Sequence, residues 1–247
     1  MPLVLAHRGA NKRAPQNTIP AFRKAVEFGA DGVETDVHLS KDGKIVICHN
    51  YTIDATSDGQ GLISDYTCEE LKKFDFGSYF SPDFKGVTLP TLPELLDVVK
   101  GMQLINIEIK APQTKNDLVK RTIEEVHRYS LQESVIISCF SPECIRESKE
   151  IDPAIRTGLL YEDNDLGREI RSFGVEKYCA QLGANAAHPG RTLITEDEVK
   201  RLHALGMAVN VWTVNEKEDI LKLTDWGCDA LISDVPDFVM SVLKNRE

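Results

Sequence analysis

The sequence predicts a single (β/α)8 barrel of the TIM type, with a small insertion after a hairpin that follows the second strand. Short apolar runs with a two-residue period alternate with helical segments along the chain, which indicates parallel strands joined by crossover helices. Eight such runs are present, the number that closes a barrel. At a length of 247 residues, one closed barrel is favoured over an open doubly wound sheet.

The predicted elements follow each other in regular order. The eight strands lie at Leu3–His7, Val33–Val37, Leu104–Lys110, Val135–Phe140, Arg156–Tyr161, Ala184–His188, Ala208–Val214 and Ala230–Asp234. The helical segments include Thr18–Phe28, Asp117–Tyr129, Ser141–Ile151, Leu166–Gly174, Glu196–Leu205, Glu216–Trp226 and Asp237–Lys244. Because the helices alternate with the strands, the pattern implies parallel pairing.

A ninth apolar run, Lys44–Asn50, does not fit the alternation. Only Ser40–Gly43 separates it from the second strand, whereas a parallel crossover takes a dozen or more residues. A glycine in a short polar link is typical of a hairpin turn. We therefore expect this run to fold back antiparallel beside the second strand, which returns His49 to the neighbourhood of Glu34.

The stretch from Asn50 to Thr91 is rich in glycine, serine, aspartate and aromatic residues, with one helical patch near Cys68–Phe74. A loop of this length in a compact domain is usually a functional lid. We interpret residues 51–91 as a small cap over the barrel mouth, inserted within a single domain that comprises residues 1–247.

Composition and charge exclude several classes of protein. Hydrophobic residues make up 42% and charged residues 28%, which is ordinary globular usage. No apolar run approaches the ~18–20 residues that cross a bilayer, and the N-terminus lacks the basic segment of a signal peptide. We therefore expect a cytoplasmic protein without stable membrane association, whose six cysteines are reduced and mostly buried. The net charge of −10 argues against binding to nucleic acid.

Carboxylates alternate with apolar residues on two predicted strands. Residues two apart on a strand face the same way, so Glu34 and Asp36 point together, and Asn106, Glu108 and Lys110 share a face. Buried carboxylates must be paired or bound to a metal, and three convergent ones suit a hard divalent cation, Mg²⁺ or Ca²⁺. The alternative is a structural ion pair between Lys110 and Glu108 or Glu34.

Two histidines are expected at the same mouth. His7 ends the first strand on the inward face, at the C-terminal end where catalytic residues of these barrels lie. A lone histidine at the end of a strand is more often a hydrogen-bonded structural residue than a catalyst. His49 reaches the same place through the hairpin, and two imidazoles at one mouth can act as general base and general acid.

The balance of charge bears on whether a metal is needed. Glu34, Asp36 and Glu108 contribute −3, and Arg8 and Lys110 contribute +2, so the empty site carries −1 and repels an anion such as a phosphodiester. A divalent cation brings the site to +1 while both histidines are neutral. The metal would then supply attraction as well as Lewis acidity.

Three further residues allow a simple interpretation. Trp212 shares a strand face with Asn210, so it either lines the mouth as an apolar platform for the alcohol part of a ligand or belongs to the core. His188, before a proline, is interpreted as structural. Asp234 is expected to cap the final helix.

The ordered motifs of the chain resemble those of the glycerophosphodiester phosphodiesterases. They are His7-Arg8-Gly9, Pro15-Gln16-Asn17-Thr18, the run from Gly29 to Val37, Lys41-Asp42-Gly43, His49, Pro90-Thr91-Leu92 and the run from Asn106 to Lys110. A weaker likeness continues through Trp212-Thr213-Val214-Asn215 and Gly227-Cys228-Asp229. The resemblance covers nearly the whole chain.

This resemblance implies a TIM barrel with a small insertion that hydrolyses glycerophosphodiesters to glycerol 3-phosphate and an alcohol. It also implies roles for three groups of residues: divalent metal ligands Glu34, Asp36 and Glu108; acid/base histidines His7 and His49; and phosphate-contacting cations Arg8 and Lys110. The chain departs from the usual pattern at Gln16, where the family has glutamate, and at Asn50, where it has aspartate. Both changes keep hydrogen-bonding capacity but remove negative charge.

Two other functions fit the same residues. A lysophospholipase D-like or sphingomyelinase D-like barrel shares the chemistry but must meet lipid. The candidate lipid-facing residues are the aromatics of the insertion, Phe74, Phe76, Tyr79, Phe80 and Phe84. A non-catalytic phosphate-binding barrel would bind the ligand without turnover.

Overall fold

Nine strands form one sheet in the computed structural model, which describes residues 1–111 and 116–246. The strands are β1 (Leu3–His7), β2 (Gly32–Leu39), β3 (Ile45–Ile47), β4 (Leu104–Ile109), β5 (Val135–Cys139), β6 (Arg156–Tyr161), β7 (Ala186–Pro189), β8 (Ala208–Val211) and β9 (Ala230–Ser233). All except β3 pair in parallel with their neighbours, and β1 pairs with both β2 and β9. This pairing closes an eight-stranded barrel and confirms the predicted TIM fold.

Within the described ranges, ten α-helices accompany the strands. They are α1 (Ile19–Phe28), α2 (Cys68–Leu71), α3 (Leu92–Val99), α4 (Leu118–Arg128), α5 (Pro142–Ile151), α6 (Asp165–Phe173), α7 (Val175–Leu182), α8 (Glu196–Ala204), α9 (Lys217–Asp225) and α10 (Pro236–Lys244). None of these helices is both long and apolar enough to span a membrane.

The two-residue period of the strands separates an outer core from an inner one. Outward side chains such as Val33, Ile105 and Ile107 belong to the large core between the strands and the helices. Inward side chains such as Leu5 and Ile136 form a smaller apolar cluster inside the barrel. Further along the strands the inward positions become polar, and so the polar residues meet at the C-terminal mouth.

The predicted hairpin is confirmed. β3 pairs antiparallel with β2, with Val37 opposite Ile47 and Leu39 opposite Ile45. The strand is shorter than predicted because the chain leaves the sheet after Ile47, where the backbone N–H of Cys48 donates to the carbonyl of Asp36. His49 follows directly and is thereby held beside the end of β2.

Residues 51–91 contain α2 and two short 3₁₀ helices, Ile63–Asp65 and Pro82–Phe84. Their apolar residues form a separate cluster that shares Val46 and Cys48 with the hairpin. The Tyr79 hydroxyl accepts a hydrogen bond from the backbone N–H of Gln16, and this contact ties the segment to the first loop of the barrel. A capping role for the segment stays a prediction.

Two helices and several strand ends differ from the prediction. Helix α3 was not predicted, although Thr91 and Glu94 form a reciprocal capping box at its start. Helix α7 was not predicted either; it begins directly after Gly174, whose φ of 99° ends α6. β8 stops at Val211, before the predicted Val214. All six cysteines are buried free thiols, as predicted.

Candidate active site

Strand register brings the predicted site residues together at the C-terminal mouth of the barrel. His7 lies opposite Glu34 where β1 pairs with β2, and Asp36 lies opposite Glu108 where β2 pairs with β4. His49 joins them from the end of the hairpin. The three carboxylates are almost fully buried, and one oxygen from each lies within 4.8 Å of the other two.

Lys110 and Arg8 lie directly against these carboxylates. The Lys110 ammonium is 2.8 Å from Asp36 Oδ1 and 2.6 Å from Glu108 Oε1. The backbone N–H of Arg8 donates to Glu34 Oε2 at 3.0 Å, and its Nε lies 3.6 Å from Asp36 Oδ2. The ion pair between Lys110 and Glu108 that the sequence allowed is therefore present alongside the acidic cluster.

The electrostatics of the cluster favour a further cation. Burial, followed by repulsion from Asp36 and Glu108, raises the pKa of Glu34 well above its ordinary value. Burial and Asp36 together raise the pKa of Glu108 to about 7, although Lys110 opposes the shift. Burial also disfavours ionised Asp36, but Lys110 and Arg8 outweigh it and hold the pKa of Asp36 below its usual range. The two cations, Arg8 and Lys110, are thus too few to let all three carboxylates ionise easily.

The two histidines have different partners. His7 Nδ1 lies 2.6 Å from Asp234 Oδ1, and its Nε2 lies 3.8 Å from Glu34 Oε2. His49 Nδ1 lies 2.7 Å from Asn50 Oδ1, so asparagine still supplies a hydrogen bond at this departure from the family pattern. Burial lowers the pKa of both imidazoles, which favours their neutral forms.

The His7-Arg8-Gly9 motif forms a tight turn at the end of β1. Arg8 has a φ of 54° and Gly9 a φ of 76°, and the carbonyl of Arg8 accepts from the backbone N–H of Asn17. A Cβ atom at Gly9 would approach Ala21 Cβ to 2.8 Å, so a glycine is required. The turn places the Arg8 guanidinium beside Gln16, whose Oε1 accepts from Arg8 Nη1 at 2.7 Å.

A cavity of about 260 Å³ opens onto Glu34 and Glu108. It is lined by His7, Arg8, Glu34, His49, Asn106, Glu108, Phe140, Leu160, Glu162, Trp212 and Ile232. Trp212 packs edge-to-face against Phe140, with ring centroids 5.6 Å apart, and its indole N–H donates to the carbonyl of His188. The structure therefore places Trp212 in the wall of the cavity, which was one of the two positions that the sequence allowed.

One prediction about the mouth is wrong. Asp234 does not cap the final helix, because α10 begins at Pro236 with Val235 as its N-cap residue. The Asp234 carboxylate instead contacts His7, Asn11 and Asn215. Asp234 follows Ile232 at the two-residue spacing of the inward face of β9, and that spacing was the signal that could have placed it at the mouth.

Other polar residues of the mouth were also missed or only partly interpreted. Glu162, directly after β6, lines the cavity and was not singled out from the sequence. The Asn106 side-chain oxygen is buried there without a hydrogen-bond partner among the described residues. His188 is fully buried and accepts from Asn210 Nδ2 at 2.9 Å, in keeping with the structural role predicted for it.

Residues 7–238 match the Glycerophosphoryl diester phosphodiesterase family. The chain belongs to this family. A glycerophosphodiester phosphodiesterase from Caldanaerobacter subterraneus subsp. tengcongensis is 36% identical over 248 residues, which cover 98% of each chain. Membership of this family, together with a relative of this kind, indicates that the protein is an enzyme.

Solved structures of phosphodiesterases share the barrel. A phosphodiesterase from Oleispira antarctica, solved in complex with the product sn-glycerol-3-phosphate, superposes with a TM-score of 0.84 at 30% identity, over 99% of this chain and 97% of that one. A glycerophosphodiester phosphodiesterase from Thermotoga maritima gives a TM-score of 0.80 at 28% identity, over 98% of both chains. The fold is thus that of the family over its full extent.

Proposed function

We propose that the chain hydrolyses glycerophosphodiesters to glycerol 3-phosphate and an alcohol, with a divalent metal ion bound by Glu34, Asp36 and Glu108. Family membership and the 36% identical relative support the reaction. The Oleispira antarctica phosphodiesterase was solved with sn-glycerol-3-phosphate, which supports a small substrate of the same kind. The observation that carries the proposal is the buried carboxylate cluster beside two histidines.

The donor set fits Mg²⁺ or Ca²⁺. Both ions prefer carboxylate and amide oxygens. The Asn106 residue, whose side-chain oxygen has no hydrogen-bond partner within the described part of the chain, lines the same cavity as Glu34 and Glu108. The raised pKa values of Glu34 and Glu108 reflect repulsion that a cation would relieve. When bound, the ion would supply Lewis acidity and attract the anionic phosphodiester.

The side chains supply the remaining chemistry. We assign neutral His7 as the base that deprotonates the nucleophile, which is either water or a glycerol hydroxyl of the substrate. The imidazolium form of His49, which the nearby Asp36 charge favours, is the acid that protonates the departing alcohol oxygen. Arg8 and Lys110 stabilise the charge that develops on the phosphoryl oxygens in an in-line displacement. Trp212 offers an apolar face to the alcohol part of the ligand.

The decisive test is release of glycerol 3-phosphate from glycerophosphocholine, measured before and after treatment with a chelator. We expect turnover in the untreated enzyme, loss of turnover after chelation, and recovery on addition of Mg²⁺ or Ca²⁺. Turnover that survives removal of every divalent ion would contradict the metal site. Binding of glycerophosphocholine without any turnover would favour the phosphate-binding barrel instead.

Two exposed aromatic residues of the insertion bear on the alternative function, an enzyme that acts on lipid. Tyr79 and Phe80 are 42% and 37% exposed, and both line a groove of about 360 Å³ that shares His7 and Arg8 with the main cavity. A lysophospholipase D-like or sphingomyelinase D-like enzyme would use such residues to meet lipid. Higher kcat/KM for lysophosphatidylcholine than for glycerophosphocholine would support that alternative.

A further inference from the structure

The Asp234 carboxylate is held by side chains from three places around the mouth. Its Oδ1 lies 2.6 Å from His7 Nδ1 and accepts a hydrogen bond from Asn11 Nδ2. Its Oδ2 accepts from Asn215 Nδ2 at 2.8 Å. His7 ends β1, Asn11 lies in the loop after it, and Asn215 follows β8. The carboxylate, directly after β9, therefore links the C-terminal ends of the two strands that flank β9.

The two amides can only donate to this carboxylate. Asn215 Oδ1 accepts from the Ser233 hydroxyl and from the backbone N–H of Asp234, each at 3.0 Å, and so its NH₂ group must face Asp234. The NH₂ group of Asn11 also donates to the carbonyl of His7 at 2.9 Å. An ionised carboxylate accepts hydrogen bonds and cannot donate them, which matches this surrounding of donors.

The same requirement extends to His7. Because Asp234 can only accept, the proton of neutral His7 must sit on Nδ1, which leaves the lone pair on Nε2. Nε2 is the nitrogen that faces Glu34 and the cavity, at 3.8 Å from Glu34 Oε2. His49 differs, because the partner of its Nδ1 is the neutral Asn50.

We propose that Asp234 is a positioning residue that fixes the ring orientation and tautomer of His7, so that Nε2 is the proton-accepting atom. This inference rests on the proposed role of His7 as base. It also favours His7 over His49 as the base, because the charged Asp234 stabilises the imidazolium that forms when Nε2 takes a proton, whereas Asn50 is neutral.

Asp234→Asn tests the proposal with little change in shape. In either orientation, its new NH₂ group confronts a donor: Asn215 on one side, or Asn11 and the Nδ1–H of His7 on the other. We expect kcat to fall by roughly 10²-fold or more, as when a carboxylate that orients a catalytic histidine is replaced, while KM changes by less than about threefold. The metal is kept saturating throughout.

Asp229→Asn is the matched control. Asp229 directly precedes β9 at the opposite end of the barrel, and its carboxylate also contacts a histidine, His203 Nε2, at 2.8 Å. This variant removes the same charge from the same kind of contact, far from the mouth. We expect its kcat to stay within about threefold of the parent enzyme.

A double-mutant cycle separates positioning from a merely structural role. Asp234 acts through His7, so Asp234→Asn should cause no further loss of kcat when it is added to His7→Ala. The proposal is overturned if Asp234→Asn keeps kcat within about threefold of wild type, or if it lowers kcat equally in the His7→Ala background. Near-normal turnover of His7→Ala would instead refute the proposed base.

Asn11→Ala provides a second variant if Asp234→Asn fails to fold. It removes one donor from the carboxylate but leaves the contact between Asp234 and His7 in place. We expect a smaller loss of kcat, about tenfold, with KM nearly unchanged. Unchanged kcat in this variant would count against the proposal.

Discussion

His7 and His49 line the same cavity but have different hydrogen-bond partners: the carboxylate of Asp234 for His7 and the amide of Asn50 for His49. If each transfers a proton in the reaction, His7→Ala and His49→Ala should each lower kcat by roughly 10²–10⁴-fold. Release of glycerol 3-phosphate from glycerophosphocholine at saturating metal measures the effect. His127→Ala is the control, because His127 is a surface residue that contacts Asp152 and lies on α4. Normal turnover in either site variant would remove that histidine from the mechanism.

The departures at positions 16 and 50 have a simple physical consequence. Gln16 accepts from Arg8 and Asn50 contacts His49, so each position forms a hydrogen bond without a negative charge. Arg8 therefore shares its charge with Asp36 but with no carboxylate at position 16. A neutral partner leaves more of the guanidinium charge available to an anionic substrate.

The strand that carries Gly158 shows how closely the barrel interior is packed. A Cβ atom at Gly158 would lie 2.3 Å from Nε2 of the buried His188, which also accepts from Asn210. Gly158→Ala should therefore lower the free energy of unfolding by about 1–3 kcal/mol, through overpacking. Urea denaturation measures this value. Gly101→Ala is the matched control, because nothing lies within 4 Å of a Cβ atom there; an equal loss in both variants would exclude the packing explanation.

The insertion depends on Asp75 for the shape of its second half. The Asp75 carboxylate accepts from the backbone N–H groups of Gly77, Ser78 and Gly86 and from the Ser78 hydroxyl. These hydrogen bonds, that of the Ser78 hydroxyl first, hold the pKa of Asp75 below its ordinary value. A lowered folded-state pKa means that the stabilisation is complete above the ordinary carboxyl pKa of about 3.9. It is lost progressively as the pH falls from there through the lowered folded-state pKa.

Asp75→Asn should therefore expose residues 75–86 to faster amide hydrogen exchange at neutral pH. The wild-type segment should begin to loosen only when the pH falls below about 4, and should reach a comparable loosening only as the pH approaches the lowered folded-state pKa of Asp75. Hydrogen exchange followed by mass spectrometry measures both, after correction for the intrinsic effect of pH on exchange. Asp83→Asn changes an exposed carboxylate in the same segment and should leave the exchange unchanged. Equal protection in the Asp75 variant and the wild type would contradict this role.

Local patterns in the sequence were sufficient for most elements but not for contacts between distant ones. The period of two placed Glu34, Asp36 and Glu108 on inward faces, and the short link at Gly43 predicted the antiparallel hairpin. Asp234 was misplaced because a local rule, an acidic residue before a helix, competed with a contact to His7 some 227 positions away. Such a contact follows from barrel closure between β1 and β9, which no single segment encodes.

Across the whole barrel, the interior changes character from one end to the other. Apolar residues such as Leu5 and Ile232 fill the interior below the mouth, and ionisable residues gather above them. The apolar layer offsets the cost of holding several charges in a buried place, since hydrophobic burial is the main favourable term in folding. Stability and chemistry are therefore concentrated in different layers of the same strands.

The charge of the whole molecule should also affect which substrate arrives faster. The net charge of −10 repels anions at long range, whereas a bound divalent ion and the cations Arg8 and Lys110 would attract them only nearby. Glycerophosphoglycerol carries a net charge of −1, and glycerophosphocholine is neutral overall because choline is cationic. Repulsion by the surface should therefore slow the first substrate more than the second when little salt is present.

Salt should reduce this difference, because the Debye length falls from about 30 Å at 0.01 M to about 10 Å at 0.1 M ionic strength. We expect the ratio of kcat/KM for glycerophosphoglycerol to that for glycerophosphocholine to rise by about twofold or more over this range. Both substrates are measured in the same buffers at saturating metal, so any effect of salt on the enzyme itself cancels in the ratio. A ratio that falls with salt would mean that the positive charge at the mouth outweighs the acidic surface in steering substrate.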